Sequence, residues 1–255
     1  MNFTFAKYAL IALLSVFFFS CNSRKNIVYL QDVGAGDGGT TRSFEPTIQP
    51  DDLLSIIVSA ETPEVTMPFN LPQIQGNYQV GNNQNGIKTY LVDTNGNIEF
   101  PVIGTIKLGG LSRTEANNKL VAAVSAYIVN PSINLRILNY KISILGEVAK
   151  PGSFNVQSER LTILEALSLA GDLTVYGKRD NILIIRETEG KRSYNRVDIT
   201  QSDFMNSPYY YLTQNDVVFV EPNQTRINSS VVGPNIQVIF SAVSLLVTIA
   251  VLIFR

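Results

Sequence analysis

Tyr90-Leu91-Val92-Asp93-Thr94-Asn95-Gly96-Asn97-Ile98-Glu99-Phe100 sets an Asn-Gly pair between two short runs of apolar and aromatic residues. Asn-Gly is the strongest short-range hairpin signal, because both residues tolerate the positive φ that a tight two-residue turn demands. The stretch therefore predicts a hairpin joining 90–92 to 98–100. Just beyond it, Ser112 and Glu115 form a capping box, which predicts a helix from about Arg113 to Tyr127. Pro131 ends any helical continuation. Ile133, Leu135 and Ile137 then alternate with Asn134, Arg136 and Leu138 as in a strand, and Ile142 and Ile144 resume after Tyr140. Upstream, Pro50-Asp51-Asp52 leads into Leu53 to Ala60, a strand rich in Ile and Val. The body is α+β.

A second unit follows the first. Lys150-Pro151-Gly152 is a turn. Thr162 and Glu165 form another capping box, whose helix ends at Gly171, a residue suited to the left-handed cap. Asn181 to Arg186 and Arg192 to Val197 read as strands around the Glu189-Gly190 turn, and Val217 to Val220 as a closing strand. One small pattern occurs twice, in Ile48-Gln49-Pro50-Asp51-Asp52-Leu53-Leu54 and Leu212-Thr213-Gln214-Asn215-Asp216-Val217-Val218. Asp51 and Asn215 hold a turn position that favours left-handed backbone, and Asp52 and Asp216 are expected to accept nearby backbone N–H groups rather than to act in catalysis.

The composition excludes several chemistries. The 255 residues carry a net charge of -1, so no nucleic-acid partner is implied. There is no histidine and one cysteine, which removes Ser-His-Asp triads, Cys/His zinc sites and an intrachain disulfide. Glycosidases need two carboxylates facing a cleft, whereas the acidic residues here lie mostly in turns, caps and exposed strand positions, and no tryptophan-bearing stretch offers a sugar platform. Gly34 to Gly39 matches G-x-G-x-x-G, but Thr40 to Pro46 is polar and ends in proline instead of opening a helix, so it reads as a tether. No catalytic, cofactor-binding or metal-binding residue is expected.

Charged residues make up only 16% of the chain, against about 25% in ordinary domains, because both ends are apolar. Lys7 precedes an apolar run of about twelve residues, Tyr8 to Phe19, too short to span a bilayer comfortably. Ser20 and Cys21 follow, then the polar Asn22-Ser23-Arg24-Lys25. This resembles a bacterial lipoprotein signal with Cys21 as the acylated residue; the plainer reading is a signal peptide or anchor with an incidental cysteine. Asn26 to Asp32 reads as a short extended segment. At the other end, Ile236 to Phe254 is uncharged, and as a helix spans roughly 28 Å, which predicts a transmembrane helix. Gln237, Ser241, Ser244 and Thr248 share one face of it. That stripe either packs against another helix or faces a water-filled lumen in a ring of identical chains, and both readings imply self-association.

Taken in order, several stretches resemble the bacterial polysaccharide export family: Pro50-Asp51-Asp52-Leu53, Val92-Asp93 with Gly96, Ile98, Pro101 and Gly104, then Gly110-Leu111-Ser112 with Glu115-Ala116. Gly146-Glu147-Val148 with Lys150-Pro151-Gly152, Leu161 to Leu167, and Ala170-Gly171 are similar to that family's ligand-binding β-grasp (SLBB-type) module. Tyr29-Leu30-Gln31-Asp32 is similar to short members from Bacteroidetes-type bacteria. The resemblance implies a signal peptide at 1–20, a lipid-anchored tether at 21–46, an export domain at 47–139, one β-grasp module at 140–223, a linker at 224–233 and the terminal helix at 234–255. It further implies a homo-oligomeric ring in the outer membrane with its body in the periplasm. Capsular or exopolysaccharide would pass through it without chemistry, and an inner-membrane polysaccharide co-polymerase, a chain-length regulator, would dock on it. The best-known members carry additional β-grasp modules, so a shorter stack is implied here. The competing reading is a non-pore periplasmic scaffold or glycan-binding lipoprotein.

Overall fold

The computed structural model describes residues 27–34, 44–71, 89–188, 190–232 and 236–253. In the first unit, β1 (Leu53–Ser59) lies between β2 (Tyr90–Leu91) and β5 (Ser132–Ile137), antiparallel to both. A short helix α1 (Pro63–Thr66) follows β1, and β3 (Asn97–Phe100) pairs with β4 (Gly104–Lys107). Helix α2 (Arg113–Val124) starts at the Ser112–Glu115 capping box, with both reciprocal bonds made. Ala116, Leu120 and Val124 recur every four residues and are buried in one core with Leu54, Ile56, Ile98, Phe100 and Leu135. The helix stops short of Tyr127, where the Ser125 hydroxyl donates to the Val121 carbonyl.

The Asn-Gly turn forms, but it does not join the strands expected of it. The Asp93 carboxylate accepts the N–H of Asn95 and of Asn97, and Gly96 takes φ +83. The Gly96 carbonyl then accepts from Leu108 and Gly109, and the two glycines stack so closely that a Cβ on Gly96 would lie 2.9 Å from the Gly109 Cα. This contact turns β3 towards β4, and β2 is left to pair with β1 (Leu53 opposite Leu91).

The second unit is a five-stranded sheet in the order β10-β9-β12-β6-β7. It comprises β6 (Lys141–Gly146), β7 (Gly152–Asn155), β9 (Gly177–Thr188), β10 (Lys191–Val197) and β12 (Val217–Pro222), with β12 parallel to β6 and the other pairs antiparallel. β8 (Leu161–Thr162) pairs with β11 (Tyr211–Leu212), and α3 (Ile163–Leu169) follows its own complete capping box. The core joins Ile163 and Leu167 of α3 to Ile142, Ile144, Ile182, Ile184, Val218 and Val220 on one face of the sheet. The chain then enters α4 (Gln224–Val232) and α5 (Ile236–Ile253).

Two further expectations are corrected. Ile27–Gly34 forms turns and bends rather than an extended strand, with Leu30 in left-handed backbone at φ 49. The expected transmembrane helix is also not met: among the described residues no helix is long and apolar enough to cross a membrane.

Candidate functional site

The two repeated turns have the same construction. Asp51 and Asn215 both take left-handed backbone, at φ 68 and φ 64. Asp52 accepts the N–H of Gln49 at 2.8 Å, and Asp216 accepts the N–H of Thr213 at 2.7 Å and its hydroxyl at 3.0 Å. In each, the Asp N–H returns to the carbonyl three residues back. Each motif thus closes a turn with one side chain and launches a strand, β1 in the first unit and β12 in the second.

The motifs meet at Asn139, between β5 and β6. Its carboxamide donates to the Asp51 carbonyl and accepts from the Leu53 N–H, both at 2.9 Å. Its own carbonyl accepts from the Gln214 side chain at 2.9 Å, and the Gln214 carboxamide oxygen accepts the Lys141 N–H at 3.0 Å. The entry turn of one unit is thereby tied to the entry turn of the other. Phe44 stacked on Tyr211 at 4.9 Å and an Arg113–Glu159 ion pair at 3.4 Å add outer contacts between the units.

Asp52 and Asp216 share a motif but not an environment. Asp216 is fully buried and held by Arg186 through both carboxylate oxygens, the shortest contact being 2.7 Å; Arg186 also donates to the Tyr211 carbonyl. Asp52 is equally buried but has no cation, and its Oδ1 has no hydrogen-bond partner. Burial pushes its carboxyl up to about 6, with the Gln49 N–H opposing the effect, neighbouring Asp51 adding to it and the Gln214 side chain opposing it more weakly. Neither carboxylate has the cleft-facing companion that hydrolysis of a glycosidic bond requires. No group of three His, Cys, Asp or Glu side chains among the described residues could hold a metal ion.

The N-terminal segment straps onto the second unit. The N–H groups of Leu30 and Gln31 donate to the carbonyls of Ile199 and Thr200, and Asp32 accepts from the N–H and hydroxyl of Ser202. The Tyr29 hydroxyl donates to Asp172 while its ring lies 5.4 Å from the Arg179 guanidinium, and burial followed by the Asp172 bond raises the phenol well above its ordinary range. The expected acylation residue, Cys21, lies outside the described residues.

Of the expected stripe, the side chain of Gln237 also lies outside them. Ser241, Ser244 and Thr248 are exposed on α5, as are Phe240, Leu245, Leu246 and Leu252. The Ser244 and Thr248 hydroxyls donate to the carbonyls of Ser241 and Ser244, so their hydrogens are satisfied within the helix. Asn139 and Gln214 gave no local signal of their role. Arg186 could have been suspected as the cation that closes the apolar run Ile182–Ile185.

The chain is thus built of two α+β units joined through matched turns. Residues 42–138 match the family described as polysaccharide biosynthesis/export protein, and residues 140–220 match the SLBB domain. The chain belongs to the bacterial polysaccharide export family. It is 28% identical over 193 residues to the EPS I polysaccharide export outer membrane protein EpsA of Ralstonia solanacearum, covering 72% of this chain and 50% of that protein. It is 29% identical over 141 residues to the protein of the same name from Ralstonia nicotianae, covering 53% of this chain and 37% of the relative. The similarity thus spans about half or less of those proteins' length.

Proposed function

We propose that this chain is a non-enzymatic subunit of an outer-membrane polysaccharide export assembly, a homo-oligomeric ring through which capsular or exopolysaccharide leaves the periplasm. The observation that carries the reading is the export unit followed by an SLBB unit and then by α5, an apolar helix that a single chain leaves exposed. Exposed apolar surface on this scale is costly in water and is removed by association with like helices or with lipid. In the ring, Gln237, Ser241, Ser244 and Thr248 face the lumen, the opposite face meets neighbouring copies, and acylated Cys21 holds the rim in the outer membrane. Domain limits at 47–139 and 140–223 follow from the same reading. An inner-membrane polysaccharide co-polymerase is the docking partner on the periplasmic side. Deleting the gene should stop polysaccharide from reaching the medium while it accumulates in the envelope, and detergent-extracted protein imaged by electron microscopy should form rings. Unimpaired export by the deletion strain would overturn the reading.

The satisfied hydroxyls of Ser244 and Thr248 favour a second reading, in which the stripe packs against protein and the chain is a scaffold rather than a pore wall. Water access to that stripe separates the two.

A further inference from the structure

The helix-bearing side of the five-stranded sheet is filled, but its other face is open. β10 is the edge strand, and its exposed side chains alternate: Arg192, Tyr194 and Arg196 point out, while Val197 lies in the core. Successive members of that row are separated by about 6.6 Å, so the three span roughly 13 Å. Tyr194 is 63% exposed. It stands opposite Ile185, which is opposite Val217, so a phenol ring borders an apolar floor. With Glu187, Arg192 and Asn215 these residues line a cleft of about 300 Å³, at the small end of the ligand-sized range. Arg196 also borders a second cleft of about 480 Å³, where Gln201, Asn206 and Ser207 supply amides and a hydroxyl and Asp198 and Asp203 supply carboxylates that disfavour a polyanion.

Both arginines of this row are paired in place, and Glu221 also holds Lys178 at 3.2 Å. Arg192 pairs with Glu187 at 3.1 Å, and Arg196 with Glu221 at 2.8 Å, with both arginines more than half exposed. A paired guanidinium and carboxylate offer donors and acceptors side by side with little net charge, the pattern that vicinal hydroxyls require. An exposed phenol presents a flat apolar face to the C–H side of a sugar ring and a polar tip to its hydroxyls. A polyanion would have to displace both glutamates before it could use the arginines.

We propose that the Arg192-Tyr194-Arg196 row and the two clefts it joins form a binding track for a short stretch of neutral, hydroxyl-rich glycan. The inference deepens the export reading and rests on it: polymer would rest briefly on this face as it passes. Weak, repeated contacts suit transit, because a tightly held chain would not move on.

The probe is the polysaccharide whose appearance in the medium depends on this gene, cut to short size-fractionated fragments. It is titrated by calorimetry into the full chain in detergent. Tyr194→Ala should weaken binding about tenfold, equivalent to about 1.4 kcal/mol, while Tyr194→Phe should stay within about threefold. Raising salt from about 0.05 to about 0.5 M should leave the affinity nearly unchanged, since no net charge is matched. Absence of binding by the wild-type chain, or equal affinity of Tyr194→Ala, overturns the track. A steep loss of affinity with salt overturns the neutral class. Smaller oligomers of Tyr194→Ala would show the face to be a contact between copies and also overturn it. If the deletion strain keeps exporting, the export reading itself has failed; if it stops exporting and one of the other results is found, the track alone has failed.

Discussion

Asp52→Asn should make the protein more stable at neutral pH. Asp52 is 1% exposed, accepts one backbone N–H, and leaves Oδ1 without a partner. Its carboxyl lies at about 6 instead of an ordinary 3.8, chiefly because burial penalises the anion. The folded state therefore holds this proton more tightly than the unfolded chain does. Below about pH 4 both states are protonated and the group costs nothing. As the pH rises through 4 to 6 the unfolded chain releases its proton first and stability falls, and above 6 the whole penalty is present. At 1.36 kcal/mol per pH unit, the displacement from 3.8 to about 6 is worth about 3 kcal/mol. Asparagine keeps the oxygen that accepts from Gln49 and carries no charge. Urea denaturation of the full chain in detergent at pH 4 and pH 7.5 provides the assay. Asp52→Asn should match the wild type at pH 4 and exceed it by about 2–3 kcal/mol at pH 7.5. Lower stability of the variant at pH 7.5, or the same gap at both values, would refute the argument that burial of an unpaired anion dominates here.

Other outcomes follow from the same structure. Arg186→Met leaves the fully buried Asp216 without its cation and should cost about 3–5 kcal/mol, with much of the loss recovered by adding Asp216→Asn, both read by thermal denaturation. Gly171 caps α3 at φ +73, and a Cβ there would lie 3.2 Å from that of Ala149, so Gly171→Val should lower stability by roughly 1–2 kcal/mol or more; an unchanged melting temperature would sink the cap assignment. Cys21→Ser should abolish labelling by radioactive palmitate and leave unprocessed precursor. In a Cys21-free background, cysteines at 241, 244 and 248 should react with a water-soluble thiol reagent while those at 243 and 246 resist it; equal protection of all five would identify α5 as an anchor.

Local chemistry was the legible part of this fold. Both capping boxes, the Gly171 cap, and the paired turns at Asp51-Asp52 and Asn215-Asp216 use residues within a few positions of one another, so their meaning can be read from spacing. Partner choice was less legible. The Asn95-Gly96 turn was right and its strands were wrong, because β2 pairs with residues upstream of the hairpin and Gly109 competes for the Gly96 carbonyl. The Asn139–Gln214 lock joins residues 75 apart, and the Asp32–Ser202 bond residues 170 apart, which no local pattern encodes. Arg192 to Val197 was legible as a strand, but the outward row of Arg192, Tyr194 and Arg196 depends on how little of the described chain packs over that side of the sheet.

The strap at Tyr29–Asp32 sets the route by which tension crosses the molecule. The chain grips the second unit at Ile199, Thr200 and Ser202 before it reaches the first, whose core begins at Ile48. A pull applied upstream of Ile27 is therefore borne first by the 199–202 corner and by the Tyr29–Asp172 bond, and it reaches β1 only after these yield. The first unit, although nearer in sequence to the N-terminus, lies mechanically behind the second. A load applied to the N-terminal segment strains the second unit while leaving the geometry of the first unchanged.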